Sequence, residues 1–152
     1  MNKPSKDKAG ETMIRVNKIM IDNDVNLIKA YIKRHALHMK ETESGLWYEF
    51  VKSGNGVIVK HGMLVSIKYK AELLDGTVCT SQDSINIKQF KVGQGKVEAG
   101  LDEGLLLMRN GDCARFIFPP HLAYGLSGDN KCIPPRSIIV YNVELINVET
   151  KK

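Results

Sequence analysis

Four histidines and three cysteines are the residues whose types most readily suggest chemistry in this 152-residue sequence. His35 and His38 share one helical stretch without a partner carboxylate, which is the pattern of solvated surface. His61 stands beside a turn glycine and His121 in a Pro-Pro-His loop. Neither has a serine or cysteine nearby in a nucleophile context. Cys79, Cys113 and Cys132 form no CxxC pair and no Cys/His spacing suited to zinc. The odd count argues against a disulfide framework and leaves open one bridge plus a free thiol. No GxSxG, P-loop or HExxH motif occurs. The run GQGKVEAG lacks the spacing of a phosphate-binding loop and reads as a loop entering a helix. One stretch remains, PPHLAYGLSGDNKCIPPRSI, from Pro119 to Ile138. It sets a Tyr-Gly corner and an Ile-Pro-Pro corner on either side of a polar, flexible bridge. By themselves these residues yield an aromatic-rich apolar cluster and no reaction.

The elements that must position this stretch follow from composition and periodicity. Hydrophobic residues make up 43% of the chain and charged residues 26%, a globular balance. No run of 18 or more apolar residues could span a bilayer. The first residues resemble no secretory h-region, so as written no signal peptide is expected. The net charge of +5 comes from 22 basic and 17 acidic residues. The basic residues are scattered and no recognition motif accompanies them, so nucleic acid is not an expected partner.

Residues 1–20 read as a polar tail expected to fray. Residues 21–39 predict a helix capped at Asp22, Asn23 or Asp24, with Val25, Ile28, Tyr31 and Ile32 on one face. From Gly45 the period changes to two. Strands are expected over GLWYEFVK, MLVSIKYKAELL, TVCTS, QFKVG, CARFIFP and SIIVYNVELINV, with a hairpin at Asp75-Gly76. VEAGLDEGLLLM reads as the one helix among them. The expectation is an α+β fold, an antiparallel, half-barrel-like sheet wrapped around one short helix. The chain divides into an N-terminal tail and helix (1–44) and a main domain (45–150).

In order, LDG, VGQGKVEAGLDEGLLLM, GDCARFIFPPHLAYG and IPPRSIIVYNVELINV resemble the FKBP-type peptidyl-prolyl cis-trans isomerases over about residues 45–149. The N-terminal helix and GLWYE stretch are similar to a bacterial group whose domain follows a lipoprotein signal. The resemblance implies an isomerase of X–Pro bonds acting on proline-containing polypeptides, without cofactor or metal. It implies a bacterial periplasm or envelope setting, with membrane contact only through a lipid anchor outside this sequence. It places Tyr69, Val97, Leu101, Tyr124, Ile133 and Tyr141 around a proline-binding pocket. Tyr124 would offer its hydroxyl to the substrate carbonyl, and the amide before Pro-Pro would help.

Departures from the family pattern fall on the same pocket. Leu101 stands where a tryptophan floor is usual, and Cys79 and Thr80 where Phe-Asp is usual. Glu98 replaces an aliphatic residue whose amide meets ligand, and Lys88 falls near a usual aromatic. A shallower, wetter pocket and modest activity are expected. The alternative is a binding or chaperone module that kept the fold and lost the rate. The resemblance also sets Cys79 and Cys132 at one side of the pocket mouth. Two unpaired thiols are the favoured expectation, and a bridge pinning the loop is the alternative, with Cys113 free.

Overall fold

Strand periodicity carries into the structure, a computed structural model that describes residues 5–80, 87–124, 128–129 and 132–149, with side-chain burial from Lys18 onward. The strands are β1 (Lys40–Glu41), β2 (Trp47–Lys52), β3 (Leu64–Leu73), β4 (Ile87–Lys91), β5 (Cys113–Phe118) and β6 (Ile139–Glu149). All neighbours pair antiparallel, in the order β1-β2-β5-β6-β3-β4. The last strand in sequence is therefore central. On β3, Val65, Ile67 and Ala71 point into the core while Lys68 and Lys70 face out. That is the strand pleat acting on an alternating sequence. The Asp75-Gly76 hairpin forms, with Gly76 at φ 93° and the Asp75 carboxylate accepting from the Thr77 amide at 2.9 Å. Among the described residues, its return limb contributes a single bridge, Glu72 with Val78, rather than a full strand. Residues 81–86 and the centre of the loop bridge, 125–127 and 130–131, lie outside the described residues.

A short helix, α2 (Ala99–Leu105), packs on the sheet face that carries Phe116 and Phe118. Its approach depends on two glycines four residues apart, on one side of the helix. A Cβ on Gly100 would stand 2.7 Å from the Phe118 ring, and one on Gly104 2.8 Å from the Phe116 ring. Leu101 and Leu105 on the same helix are fully buried in the core with Phe116, Phe118 and Tyr141. Asp102 accepts from the Gly93 amide at 2.8 Å and the Gly95 amide at 3.2 Å, which fixes the loop entering α2. After β5, a single 3-10 turn (Pro120–Leu122) redirects the chain into the Tyr124 loop.

The chain resolves into two compact units, Met1–Ala36 and Leu37–Lys152. The first is helix α1 (Ser5–Arg34). It begins well before the expected caps at Asp22 to Asp24 and runs through the segment expected to fray. Lys, Glu, Ala and Met there favour helix even where apolar spacing is weak. It ends at Arg34 instead of continuing to residue 39, with Ala36 at φ 54°. Ile28 and Tyr31 are buried, and Val25 and Ile32 partly so. His35 stacks on Tyr31 with ring centroids 4.1 Å apart. Among the described residues, no histidine joins a metal-ligating cluster.

Candidate functional site

Five elements bring aromatic and aliphatic side chains together at the core cluster. Strand β3 supplies Tyr69, and β6 supplies Tyr141. The residues leading into α2 supply Val97 and Glu98, and α2 itself supplies Leu101. The loop after the 3-10 turn supplies Tyr124, and its far limb Ile133. Leu101, Ile133 and Tyr141 are buried members of the core cluster. Tyr69, Val97, Tyr124 and Cys79 pack against that cluster while remaining partly exposed. Thr80 is half-buried. The register explains the ring contacts: Tyr141 pairs with Ala71, so Tyr69 lies one pleat along the same face. Tyr69 and Tyr141 stack with centroids 5.9 Å apart and planes 16° from parallel. Phe118 meets the Tyr141 ring at 4.9 Å. Lys88 sets its Nζ 4.6 Å from the Tyr69 ring centroid, a cation on an aromatic face.

The polar groups converge on one carboxylate. The Tyr124 and Tyr141 hydroxyls both donate to Glu98 Oε2. Glu98 Oε1 is buried without a hydrogen-bond partner. Burial, and then the Glu98 carboxylate, hold the Tyr124 phenol well above the usual tyrosine range. The same two causes act more strongly on Tyr141. Both phenols are thus neutral donors at physiological pH. Sequence reasoning assigned Glu98 only a backbone role, and this shared acceptor was missed. The available signal was an acidic residue between Val97 and Ala99, immediately before a helix that buries its apolar face.

The Ile133 amide, which the resemblance offers to substrate, donates to Asp129 Oδ1 at 2.8 Å. The Cys132 amide shares that oxygen at 3.0 Å, and the Asp129 amide returns a bond to the Ile133 carbonyl at 3.0 Å. Asp129 was also missed. It closes the loop limb on itself. Gly128, at φ 70°, is required there, because a Cβ would lie 2.3 Å from the Ile133 carbonyl oxygen.

Cys79 and Cys132 form a disulfide, with Cα atoms 5.5 Å apart and a sequence separation of 53. The favoured expectation of two unpaired thiols is thereby corrected. The Cys79 amide donates to the Ala71 carbonyl at 2.8 Å. That bond anchors one half of the bridge to β3 and holds it within reach of the loop. Cys113 is free.

Residues 56–146 match the family described as FKBP-type peptidyl-prolyl cis-trans isomerase. The FK506-binding protein 2 of Yarrowia lipolytica is 38% identical over 91 residues, covering 59% of this chain and 63% of that protein. A probable FKBP-type peptidyl-prolyl cis-trans isomerase FkpA of Neisseria meningitidis is 30% identical, covering 96% of this chain and 58% of that protein. The chain thus spans less than two thirds of the length of these curated relatives. The crystal structure of FkpA from Escherichia coli superposes with a TM-score of 0.69 at 28% identity, covering 95% of this chain and 70% of that one.

Proposed function

Because the chain belongs to the FKBP-type peptidyl-prolyl cis-trans isomerase family, we propose that its Leu37–Lys152 unit accelerates rotation about X–Pro bonds in polypeptides, at a modest rate. The barrier to be lowered is about 18–20 kcal/mol and arises from amide resonance. A planar amide is more polar than a twisted one, so transfer from water into an apolar pocket favours the twisted form. A neutral donor that holds the prolyl carbonyl orients the bond for that twist. The observation that carries this reading is the partly buried Tyr124 phenol, a neutral donor packed against the core cluster that holds Leu101, Ile133 and Tyr141. The chemistry needs no nucleophile or general base. Modest activity follows from Leu101 in place of a broad indole floor, and from Cys79 and Thr80 at the mouth.

A second reading, a binding or chaperone module, is favoured by one observation. The Tyr124 hydroxyl and the Ile133 amide both have internal acceptors. Exchange spectroscopy on X–Pro tetrapeptides separates the two readings. Acceleration proportional to enzyme concentration is expected, and binding without acceleration supports the module. The setting we propose is an oxidising one outside the cytoplasm, such as a bacterial periplasm or envelope. The Cys79–Cys132 disulfide supports it, since such bridges rarely persist among cytosolic reductants.

A further inference from the structure

We infer that Glu98 is a positioning residue that acts as a tethered competitor of substrate: its carboxylate occupies the acceptor place on Tyr124 that a prolyl carbonyl must take. The inference rests on the isomerase reading for the identity of the displacing group, and on geometry for the tether.

A phenol carries one proton to donate. Tyr124 and Tyr141 both direct theirs to Glu98 Oε2. The Ile133 amide is directed to Asp129. The two hydroxyls and the Ile133 amide are therefore all engaged within the protein. A hydroxyl bond to a carboxylate is charge-assisted, about twice as strong as one to a neutral carbonyl. A substrate carbonyl thus exchanges a stronger bond for a weaker one as it enters. The exchange is nonetheless feasible, because Glu98 is not itself well settled. Its Oε1 is buried with no partner, and a carboxylate oxygen so placed is destabilised. The side chain is only half-buried, so solvent can receive the released carboxylate. The cost of release falls on substrate binding rather than on the twisting step, so Glu98 raises KM more than it lowers kcat. An aliphatic side chain at this position would leave Tyr124 free to donate.

The test is a cycle of variants of the 152-residue chain: wild type, Glu98→Ile, Tyr124→Phe and the double variant, with Glu98→Gln as the isosteric companion. Each is titrated by NMR with an X–Pro tetrapeptide and assayed for isomerisation by exchange spectroscopy. Glu98→Ile should bind the peptide about tenfold more tightly, as expected for removing one charge-assisted competitor, with the gain in KM. Glu98→Gln should fall between it and wild type. Tyr124→Phe should cost at least about fivefold more affinity in the Glu98→Ile background than in the wild type, because only there is its hydroxyl free for substrate. If Glu98→Ile fails to fold, the same cycle on Glu98→Gln replaces it. Equal costs of Tyr124→Phe in both backgrounds, or unchanged affinity in both Glu98 variants, overturn the inference. So does the absence of peptide binding in every variant. If the affinities are coupled as expected and no variant accelerates isomerisation, the tether stands and the isomerase reading alone is lost.

Discussion

Two phenols sharing one carboxylate oxygen give the site a directional response to alkali. Tyr124 and Tyr141 have folded pKa values raised above the ordinary value near 10, first by burial and then by Glu98. The unfolded chain ionises its tyrosines first, near pH 10, while the folded protein resists. The stability this contributes is fully present below about pH 10 and is lost as pH rises from there toward the folded values. Urea midpoints measured from pH 8 to pH 11.5 should therefore fall above about pH 10. In Tyr141→Phe the fall should be shallower. An equal slope in both proteins would show that the phenols do not carry the effect. Cys113 responds with the same sign, its thiol pushed up by partial burial and by Glu144.

Helix α2 owes its place to what two of its residues lack. Adding a methyl at Gly104 would place carbon 2.8 Å from the Phe116 ring. Gly104→Ala should destabilise by about 1–3 kcal/mol through overpacking, although alanine is the better helix former. A Tm equal to or above that of wild type would show that the ring yields freely. The loop beyond β5 has a covalent counterpart. Closing a loop of sequence separation 53 with the Cys79–Cys132 bridge constrains the unfolded chain by about 4 kcal/mol in the entropy model. Cys132→Ser should lose up to that amount in urea unfolding, and unreduced, unfolded wild type should present one free thiol, that of Cys113. The strands of this sheet were legible because two-residue alternation over six or more residues fits a pleated, half-buried strand and little else, as in β3 and β6. Strand β1, two residues long, offers no such pattern. The gathering of Tyr69, Tyr124, Ile133 and Tyr141 about one core cluster was legible through the resemblance carried by Tyr-Gly and Ile-Pro-Pro. Glu98 and Asp129 were not, because the sequence does not say which donors their side-chain oxygens accept from. The Tyr141–Glu98 contact joins residues 43 apart in sequence, which no local period encodes. The bridge could be raised only as the alternative to unpaired thiols, since pairing depends on Cα separation.

At the scale of the whole molecule, the division into Met1–Ala36 and Leu37–Lys152 predicts that a chain beginning at Leu37 keeps its sheet. That unit contains every strand among the described residues and the full core cluster. Circular dichroism and dispersed amide spectra of the truncated protein should match the sheet signals of the full chain, and a random-coil spectrum would refute the division. Within this unit the placement of β6 has a temporal meaning. It lies between β5 and β3, and its Tyr141 pairs with Ala71 on one side and Phe116 on the other. A chain emerging from the ribosome or a translocon can form the Asp75-Gly76 hairpin early, yet β3 and β5 have no common partner until residues 139–149 appear. Assembly of the sheet is therefore a late, non-local event, slow by loop-closure entropy and exposed to strand mispairing in the interval. Until then β3 and β5 each carry an unpaired edge that only β6 satisfies.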